Sequence, residues 1–151
     1  MQKITPFLWY KNNAAEEAAK YYVGIIKDSK ITKITPGPGG VATAVSFTLA
    51  GQEFVALNGN PEFPFTHAVS FLINCADQQE IDEYWDKLSA GGQKVQCGWL
   101  TDKYGVSWQV APTVLLEMLN DKDKDKAKRV FDAMCQMQKI DIAGLKKAYA
   151  G

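Results

Sequence analysis

The sequence predicts an α+β fold class in which two βαβββ modules are followed by a C-terminal helical tail. Two observations lead to this prediction. Up to Pro112 the chain twice presents a short alternating apolar run, a segment with apolar residues at helical spacing, and further alternating runs. Beyond Pro112 only helical spacing recurs. We expect a single domain over 1–151, with modules at 1–60 and 61–112 and the tail at 113–151.

The first module begins with the aromatic strand "ITPFLWY" and continues into the helix "NNAAEEAAKYYVGII". Helical spacing places these apolar residues on one side of that helix: Ala15, Ala18, Ala19, Tyr22 and Ile26. A strand in "SKITKITPG" follows, and "PGPGG" breaks the chain before two more strands. Gly51 and Gln52 separate the last two alternating runs, which predicts a hairpin.

The second module repeats this order with less clarity. "HAVSFLINC" reads as a strand, and "DQQEIDEYWDKLSAGG" reads as a helix that ends at Gly91 and Gly92. Only two further strands are evident, "QKVQCGWL" and "YGVSWQVAP". The second module therefore shows one strand fewer than the first.

The tail carries an apolar face at helical spacing, formed by Val130, Phe131, Met134 and Met137. Such a stripe is usually core packing, but on this chain it adds to apolar surface that two modules already leave open. We expect a homodimer with an isologous interface to cover it. The alternative is a monomer whose tail folds back on its own sheet.

Composition excludes several classes of function. Seventeen basic residues balance seventeen acidic ones, so no net field attracts nucleic acid. No apolar run approaches the roughly 20 residues of a membrane span, and the first residues lack the apolar core of a signal peptide. The chain has an odd number of widely spaced cysteines, Cys75, Cys97 and Cys135. This pattern indicates reduced thiols. We expect a cytoplasmic protein without nucleic-acid or membrane partners.

The stretch "DKYGVSWQVAP" shows which side chains share a face. Side chains alternate along a strand, so Val106, Trp108 and Val110 point one way while Ser107 and Gln109 point the other. A neutral amide at the middle of a strand indicates hydrogen bonding to a neutral or anionic group.

Several segments together resemble one family. The segments "ITPFLW" with "NNAAEEAAKYY", the hairpin "FTLAGQEFVALNG", and "YWDKLSAGG" with "CGWLTDKYGVSWQVAP" resemble the PhnB-like branch of the vicinal oxygen chelate superfamily. That branch is often labelled a 3-demethylubiquinone methyltransferase domain, and the resemblance runs through the tail. It implies the glyoxalase/bleomycin resistance fold, in which mixed sheets curl into an open cup that binds the ligand.

The resemblance also implies positions for a metal. Metal-dependent members place a His or Glu near the start of the first strand of a module and a Glu on the last strand. Those positions hold Thr5 or Pro6, and Gln109, in this chain. His67, the only histidine, stands at the corresponding place in the second module, although alternation puts it in phase with the helix-facing set. We therefore expect no tightly bound metal and no cofactor.

Alternation selects the side chains that line the implied cup. On the hairpin it predicts that Phe54, Ala56 and Asn58 face inward and that Val55 and Leu57 pack on the helices. The candidate ligand-binding residues are Thr5, Phe7, Trp9, Ser46, Asn58, His67, Ser107 and Gln109. This lining is aromatic and polar with little charge, which suits a small, partly planar organic ligand. The alternative without a binding function is that the aromatic residues fill the cup as part of the hydrophobic core.

Other functions stay open from sequence. One is a metal-dependent enzyme of the glyoxalase or dioxygenase kind that uses His67 with substitute ligands. Another is a protein that binds a partner through its tail. Methyl transfer has no support from the residues, because the glycine-rich "GPGG" stands between strands and not between a strand and a helix.

Overall fold

A computed structural model describes residues 2–59 and 62–151 of the chain. Contacts between residues divide the chain into two compact units, Met1–Pro64 and Phe65–Gly151. The predicted module boundary at 60 and 61 falls outside the described residues. The tail belongs to the second unit.

The first unit has one mixed four-stranded sheet, and its helix follows the first strand. Its elements are β1 (Phe7–Tyr10), α1 (Ala15–Ile25), β2 (Lys30–Pro36), β3 (Ala42–Leu49) and β4 (Gln52–Asn58). The strand order is β1-β4-β3-β2, with β1 parallel to β4 and the other pairs antiparallel. A single 3-10 turn, Pro38–Gly40, joins β2 to β3, so the glycine-rich segment connects two antiparallel strands, as predicted.

Helix α1 covers one face of this sheet through the residues that its spacing predicted. All five predicted residues of that face are buried. The ring of Tyr22 stacks on Phe47 of β3 at 6.3 Å between centroids, and its hydroxyl accepts a 3.0 Å hydrogen bond from Tyr10 of β1. The apolar face of the helix and this hydroxyl pair together join α1 to two strands of the sheet.

The second unit repeats the same topology and adds the tail. Its elements are β5 (Ser70–Cys75), α2 (Gln78–Ser89), β6 (Gln93–Lys94), β7 (Trp99–Thr101), β8 (Ser107–Pro112), α3 (Thr113–Leu119), α4 (Lys124–Cys135) and α5 (Ile142–Ala150). The strand order is β5-β8-β7-β6, with β5 parallel to β8. Each described unit is thus a βαβββ arrangement in an α+β fold.

The second module has a fourth strand that the sequence analysis missed. The segment "QKVQCGWL" is two strands, β6 and β7, because a turn interrupts it. Cys97 and Gly98 adopt φ values of 63° and 80° in this turn, in the left-handed region that an extended strand does not use. The prediction of one strand fewer was therefore wrong.

Helix α2 buries its apolar residues in the core of this unit. Tyr84, Trp85 and Leu88 are buried on the helix, and Trp108 and Val110 are buried on β8. Asp77 caps the helix by accepting a 2.9 Å hydrogen bond from the backbone N–H of Glu80. The predicted alternation of β8 is confirmed, because Val106 is buried with Trp108 and Val110.

The tail helices pack together within the second unit. Their shared core consists of Leu115, Met118, Val130, Ile140 and Leu145, with Met134 and Met137 packed against it. Of the four residues of the predicted apolar face, Phe131 alone is largely exposed, at 52%. Three of these four residues are thus covered by other parts of the same chain, which favours the alternative in which the tail folds back. The apolar face of the tail is therefore no longer a reason to expect a dimer. Among the described residues, no helix is long and apolar enough to cross a membrane.

Candidate functional site

Each sheet has one face covered by its helix and an opposite face, here called the open face. On the first sheet the register pairs Phe7 with Val55 and Trp9 with Leu57, and these four side chains share the open face. Phe7 is 61% exposed and Trp9 is 43% exposed, whereas the alternate residues of β1 are buried. The prediction that Phe7 and Trp9 point away from the helix is confirmed.

Two other predicted residues lie near this aromatic pair. Ser46 of β3 pairs with Val55 and is on the open face, as predicted. Thr5 precedes β1 and lies outside the strand. The ring of Phe63, which the sequence analysis did not select, stacks on Trp9 at 5.4 Å. The first open face therefore carries an aromatic platform with one hydroxyl beside it.

The predicted orientation of β4 was wrong, and Asn58 shows why. Asn58 pairs with Tyr10 and lies on the helix side of the sheet. Its side-chain oxygen accepts a 2.9 Å hydrogen bond from the backbone N–H of Ala15, at the start of α1, and its amide nitrogen donates to Ala42 O at 2.6 Å. Phe54 and Ala56 are buried on the same side. Asn58 thus anchors the helix and does not reach the open face.

The second sheet gathers the other predicted residues on its open face. Ser70 pairs with Ser107 and Leu72 pairs with Gln109 across β5 and β8. The predicted shared face of Ser107 and Gln109 is confirmed, since Trp108 between them is buried on the helix side.

Two residues of β7 complete this face and were missed from sequence. Trp99 pairs with Gln109 and Thr101 pairs with Ser107. Leu100 between them is apolar and buried, so alternation around it could have predicted that Trp99 and Thr101 face away from the helix. The sequence analysis did not use this alternation because it treated "QKVQCGWL" as one strand, and the turn at Cys97 changes which side chains share a face.

His67 lies on the open face and not with the helix-facing set. It precedes β5, where alternation does not apply, and its Nδ1 is 3.2 Å from Ser107 Oγ. Val69, predicted to pack on the helices, is 66% exposed. Phe71 does face the helix side, with its ring 5.5 Å from that of Trp108.

The polar groups on the second open face are hydroxyls, an amide and the His67 imidazole. Gln109 Nε2 donates a 2.9 Å hydrogen bond to Ser70 Oγ, which leaves the amide oxygen available. Thr101 Oγ1 is buried and has no hydrogen-bond partner among the described residues. This face can offer hydrogen bonds beside an indole ring.

The fold family implies a divalent metal, and the donor set of this face does not suit one. The predicted ligand positions supply one imidazole, His67, and one amide, Gln109, with no carboxylate. Carboxylates supply the charge that hard divalent cations favour. Within residues 2–59 and 62–151, no cluster of three His, Cys, Asp or Glu side chains is placed to hold a metal ion.

The thiol of Cys75, the last residue of β5, is poorly suited to act as a nucleophile. Cys75 is fully buried, and burial, with smaller contributions from Glu80 and Asp77, raises its pKa to about 12. The thiolate that nucleophilic chemistry requires is therefore suppressed.

Two βαβββ units, each a mixed sheet with one helix-covered face, are the architecture of the vicinal oxygen chelate superfamily. A family model described as 3-demethylubiquinone-9 3-methyltransferase matches residues 2–111, and the chain belongs to this PhnB-like family. No curated protein matches the chain significantly.

Solved structures agree with this assignment. A PhnB protein from Bacillus cereus is 36% identical, covering 72% of this chain and 98% of its own, with a TM-score of 0.68. Protein PA1353 from Pseudomonas aeruginosa is 17% identical over 74% of this chain and 98% of its own, with a TM-score of 0.59. The fosfomycin resistance protein FosX from Listeria monocytogenes is 16% identical over 80% of this chain and 98% of its own, with a TM-score of 0.56. The last two show a shared fold.

The family match ends where the sheets end. It stops at residue 111, next to the end of β8 at Pro112. The family model therefore does not support the predicted resemblance through the tail, because helices α3 to α5 lie beyond the matched residues.

Proposed function

We propose that this protein binds a small organic molecule, partly aromatic and polar, against the open face of its second sheet without a tightly bound metal ion. The observation that carries the proposal is the pairing of Gln109 with Trp99. A planar ligand can lie on the indole while the free amide oxygen accepts a hydrogen bond from it.

The surrounding groups support a ligand of low charge. His67 and Ser107 are hydrogen-bonded to each other, and Ser70 accepts from Gln109, so the polar atoms are held in place before a ligand arrives. Neutral donors and acceptors in fixed positions favour hydrogen-bonding selectivity over charge attraction.

A fragment screen tests the proposal. Hydroxybenzoates and nicotinamide are suitable planar polar probes, and the tryptophan indole N–H signals in NMR report their binding. The Trp99 signal, assigned with Trp99→Phe, is expected to shift with at least one probe. If shifts are confined to residues outside the second open face, or if no planar probe binds, the proposal fails.

The second candidate is a metal-dependent enzyme of the glyoxalase or dioxygenase kind that uses His67. The exposed position of His67 at the edge of the open face favours it. A FosX structure from Listeria monocytogenes, described as complexed with Mn(II) and sulfate, has the same fold at 17% identity and a TM-score of 0.52. The missing carboxylate argues against this candidate.

Metal content separates the two candidates. We expect elemental analysis of the purified protein to find no stoichiometric zinc, iron, manganese or nickel. A content near one metal per chain that is lost in His67→Ala would establish the metal-dependent candidate instead.

We further propose that the protein acts in the cytoplasm and as a homodimer. Three free cysteines support a reducing compartment. Exposed Phe7 and Trp9 support burial of the first open face by a second chain. Light scattering at micromolar concentration tests the assembly, and a monomer mass there would rule it out.

Methyl transfer is not part of the proposal, although the family model carries that description. The glycine-rich turn at Pro38–Gly40 joins two strands. It does not open a helix, where the backbone N–H groups of a nucleotide-type site would be presented.

A further inference from the structure

Two cysteines that are far apart in sequence meet where the tail joins the second sheet. Cys97 lies in the turn between β6 and β7, and Cys135 is the last residue of α4. The Cys97 N–H is bonded to Met137, two residues beyond Cys135, and the Cys135 side chain is near enough to raise the pKa of the Cys97 thiol. Both side chains are half-buried, and both are free thiols.

The backbone around the thiols holds them in this position. Cys97 N–H donates to Met137 O at 2.7 Å, and Gly98 N–H donates to Gln138 O at 2.8 Å. These two bonds pair the turn with the segment that leaves α4. Cys97 holds a left-handed φ of 63°, a conformation that a non-glycine residue keeps only where its surroundings enforce it.

We propose that Cys97 and Cys135 form a reversible, peroxide-oxidised disulfide that joins the family domain to the helical tail. Cys97 lies within the family match and Cys135 lies in the tail beyond it, so the pair requires the tail helices. The proposal does not depend on ligand binding.

The chemistry balances with a hydroperoxide as the oxidant. One cysteine thiolate attacks the distal oxygen of hydrogen peroxide, the O–O bond breaks, and a sulfenic acid and hydroxide form. The second thiolate then attacks the sulfenic sulfur, and the S–S bond forms as hydroxide leaves. Burial and the neighbouring Cys135 side chain raise the pKa of the Cys97 thiol, so its ionisation and its reaction with peroxide are favoured at alkaline pH.

Cys75 provides a control within the same chain. Its thiol is completely buried and its pKa is raised to about 12, so peroxide should leave it reduced.

The test treats the reduced full-length protein with a small molar excess of hydrogen peroxide and maps its peptides without reduction. The expected product is a peptide containing Cys97 linked to one containing Cys135, with two hydrogens lost and Cys75 free. A bridge that closes this long loop should raise the melting temperature by about 5–10 °C, and a dithiol reductant should reverse the rise.

The melting temperatures of oxidised and reduced protein are compared within each variant, so that a loss of stability caused by the substitution itself is not mistaken for loss of the disulfide. Cys97→Ser and Cys135→Ser should each lose the linked peptide and the rise in melting temperature, whereas Cys75→Ser should keep both. The proposal is overturned if wild-type protein yields only over-oxidised cysteines or links between chains. An equal rise in melting temperature in Cys97→Ser would also overturn it.

Discussion

Trp108 donates a 2.9 Å hydrogen bond from its indole nitrogen to Asp102 Oδ2 across the turn that leads into β8. The other carboxylate oxygen accepts from the backbone N–H groups of Tyr104, at 2.8 Å, and Val106, at 3.0 Å. Both Asp102 and Trp108 are 2% exposed. This network holds Trp108 on the helix side, and alternation then places Ser107 and Gln109 on the open face.

Removing the buried carboxylate should destabilise the second unit. Asp102→Ala leaves an indole N–H and two backbone N–H groups without their acceptor, so we expect a loss of about 2–4 kcal/mol in the free energy of unfolding. Urea denaturation measures it. Asp86→Ala, at an exposed position of α2, should change stability by less than about 0.5 kcal/mol. Similar losses in the two variants would contradict the assigned role.

Gln109→Ala should weaken the binding of a planar probe to the second open face by about 1–3 kcal/mol, because the hydrogen-bonding group of the probe loses its partner in the site. NMR titration of the indole signals measures the dissociation constant. Gln79→Ala, at an exposed position of α2, is the matched control and should leave it unchanged. Equal affinity of wild type and a folded Gln109→Ala would place the amide outside the site.

Thr101→Val should stabilise the free protein by about 1 kcal/mol, because the buried hydroxyl has no hydrogen-bond partner among the described residues and valine preserves its shape. Thermal and urea unfolding both report the change. Thr48→Val, at a partly exposed position of β3 whose hydroxyl is not among the buried, unpartnered atoms, should stay within about 0.5 kcal/mol. A clear loss of stability in Thr101→Val would show that the hydroxyl has a partner.

Gly59→Ala should disturb the aromatic platform of the first sheet. An added Cβ would overlap the indole of Trp9, so the ring must leave its stack with Phe63, at a cost of about 1–3 kcal/mol. Gly24→Ala in α1 meets nothing within 4 Å and should stabilise by about 0.5–1 kcal/mol. Trp9 signals that are unchanged in Gly59→Ala would refute this packing.

The attachment of the last helix should depend on pH through Asp121 and Tyr149, whose side chains are 2.5 Å apart. The Tyr149 hydrogen bond, with smaller effects from the Asp123 backbone, Lys126 and Lys124, lowers the pKa of Asp121 below 3.8. The stabilisation is therefore present above the unfolded pKa and is lost as pH falls through the folded value. The same bond raises the pKa of Tyr149 above its ordinary value, so the stabilisation is present below the unfolded pKa and is lost as pH rises through the raised, folded-state pKa.

Hydrogen exchange of the α5 backbone measures this dependence. Exchange corrected for its intrinsic rate should accelerate at both pH extremes in wild type. In Tyr149→Phe it should be fast throughout and lack both steps. A wild-type profile that matches Tyr149→Phe would show that the contact does not hold the helix.

Sequence by itself determined the elements whose partners are close along the chain or whose alternation is unambiguous. The spacing of alanines and Tyr22 in α1 specifies one buried side because no polar residue interrupts it. In β8, Val106, Trp108 and Val110 differ sharply in polarity from Ser107 and Gln109, so only one orientation buries the apolar set. Those patterns were enough to predict the βαβββ order and the face on which Gln109 lies.

Tertiary structure decided what depends on distant partners. Alternate residues of β4 are similarly apolar, so its orientation follows from the bond between Asn58 and the start of α1, 43 residues earlier. Backbone hydrogen bonds to the tail hold the left-handed turn at Cys97. This turn separates β6 from β7, and Trp99 of β7 then lies on the open face beside Gln109. The tail face that could have joined two chains packs instead on Leu115 and Ile140. Local pattern carries no information on which distant surface buries such a residue, because burial is a property of the assembled chain.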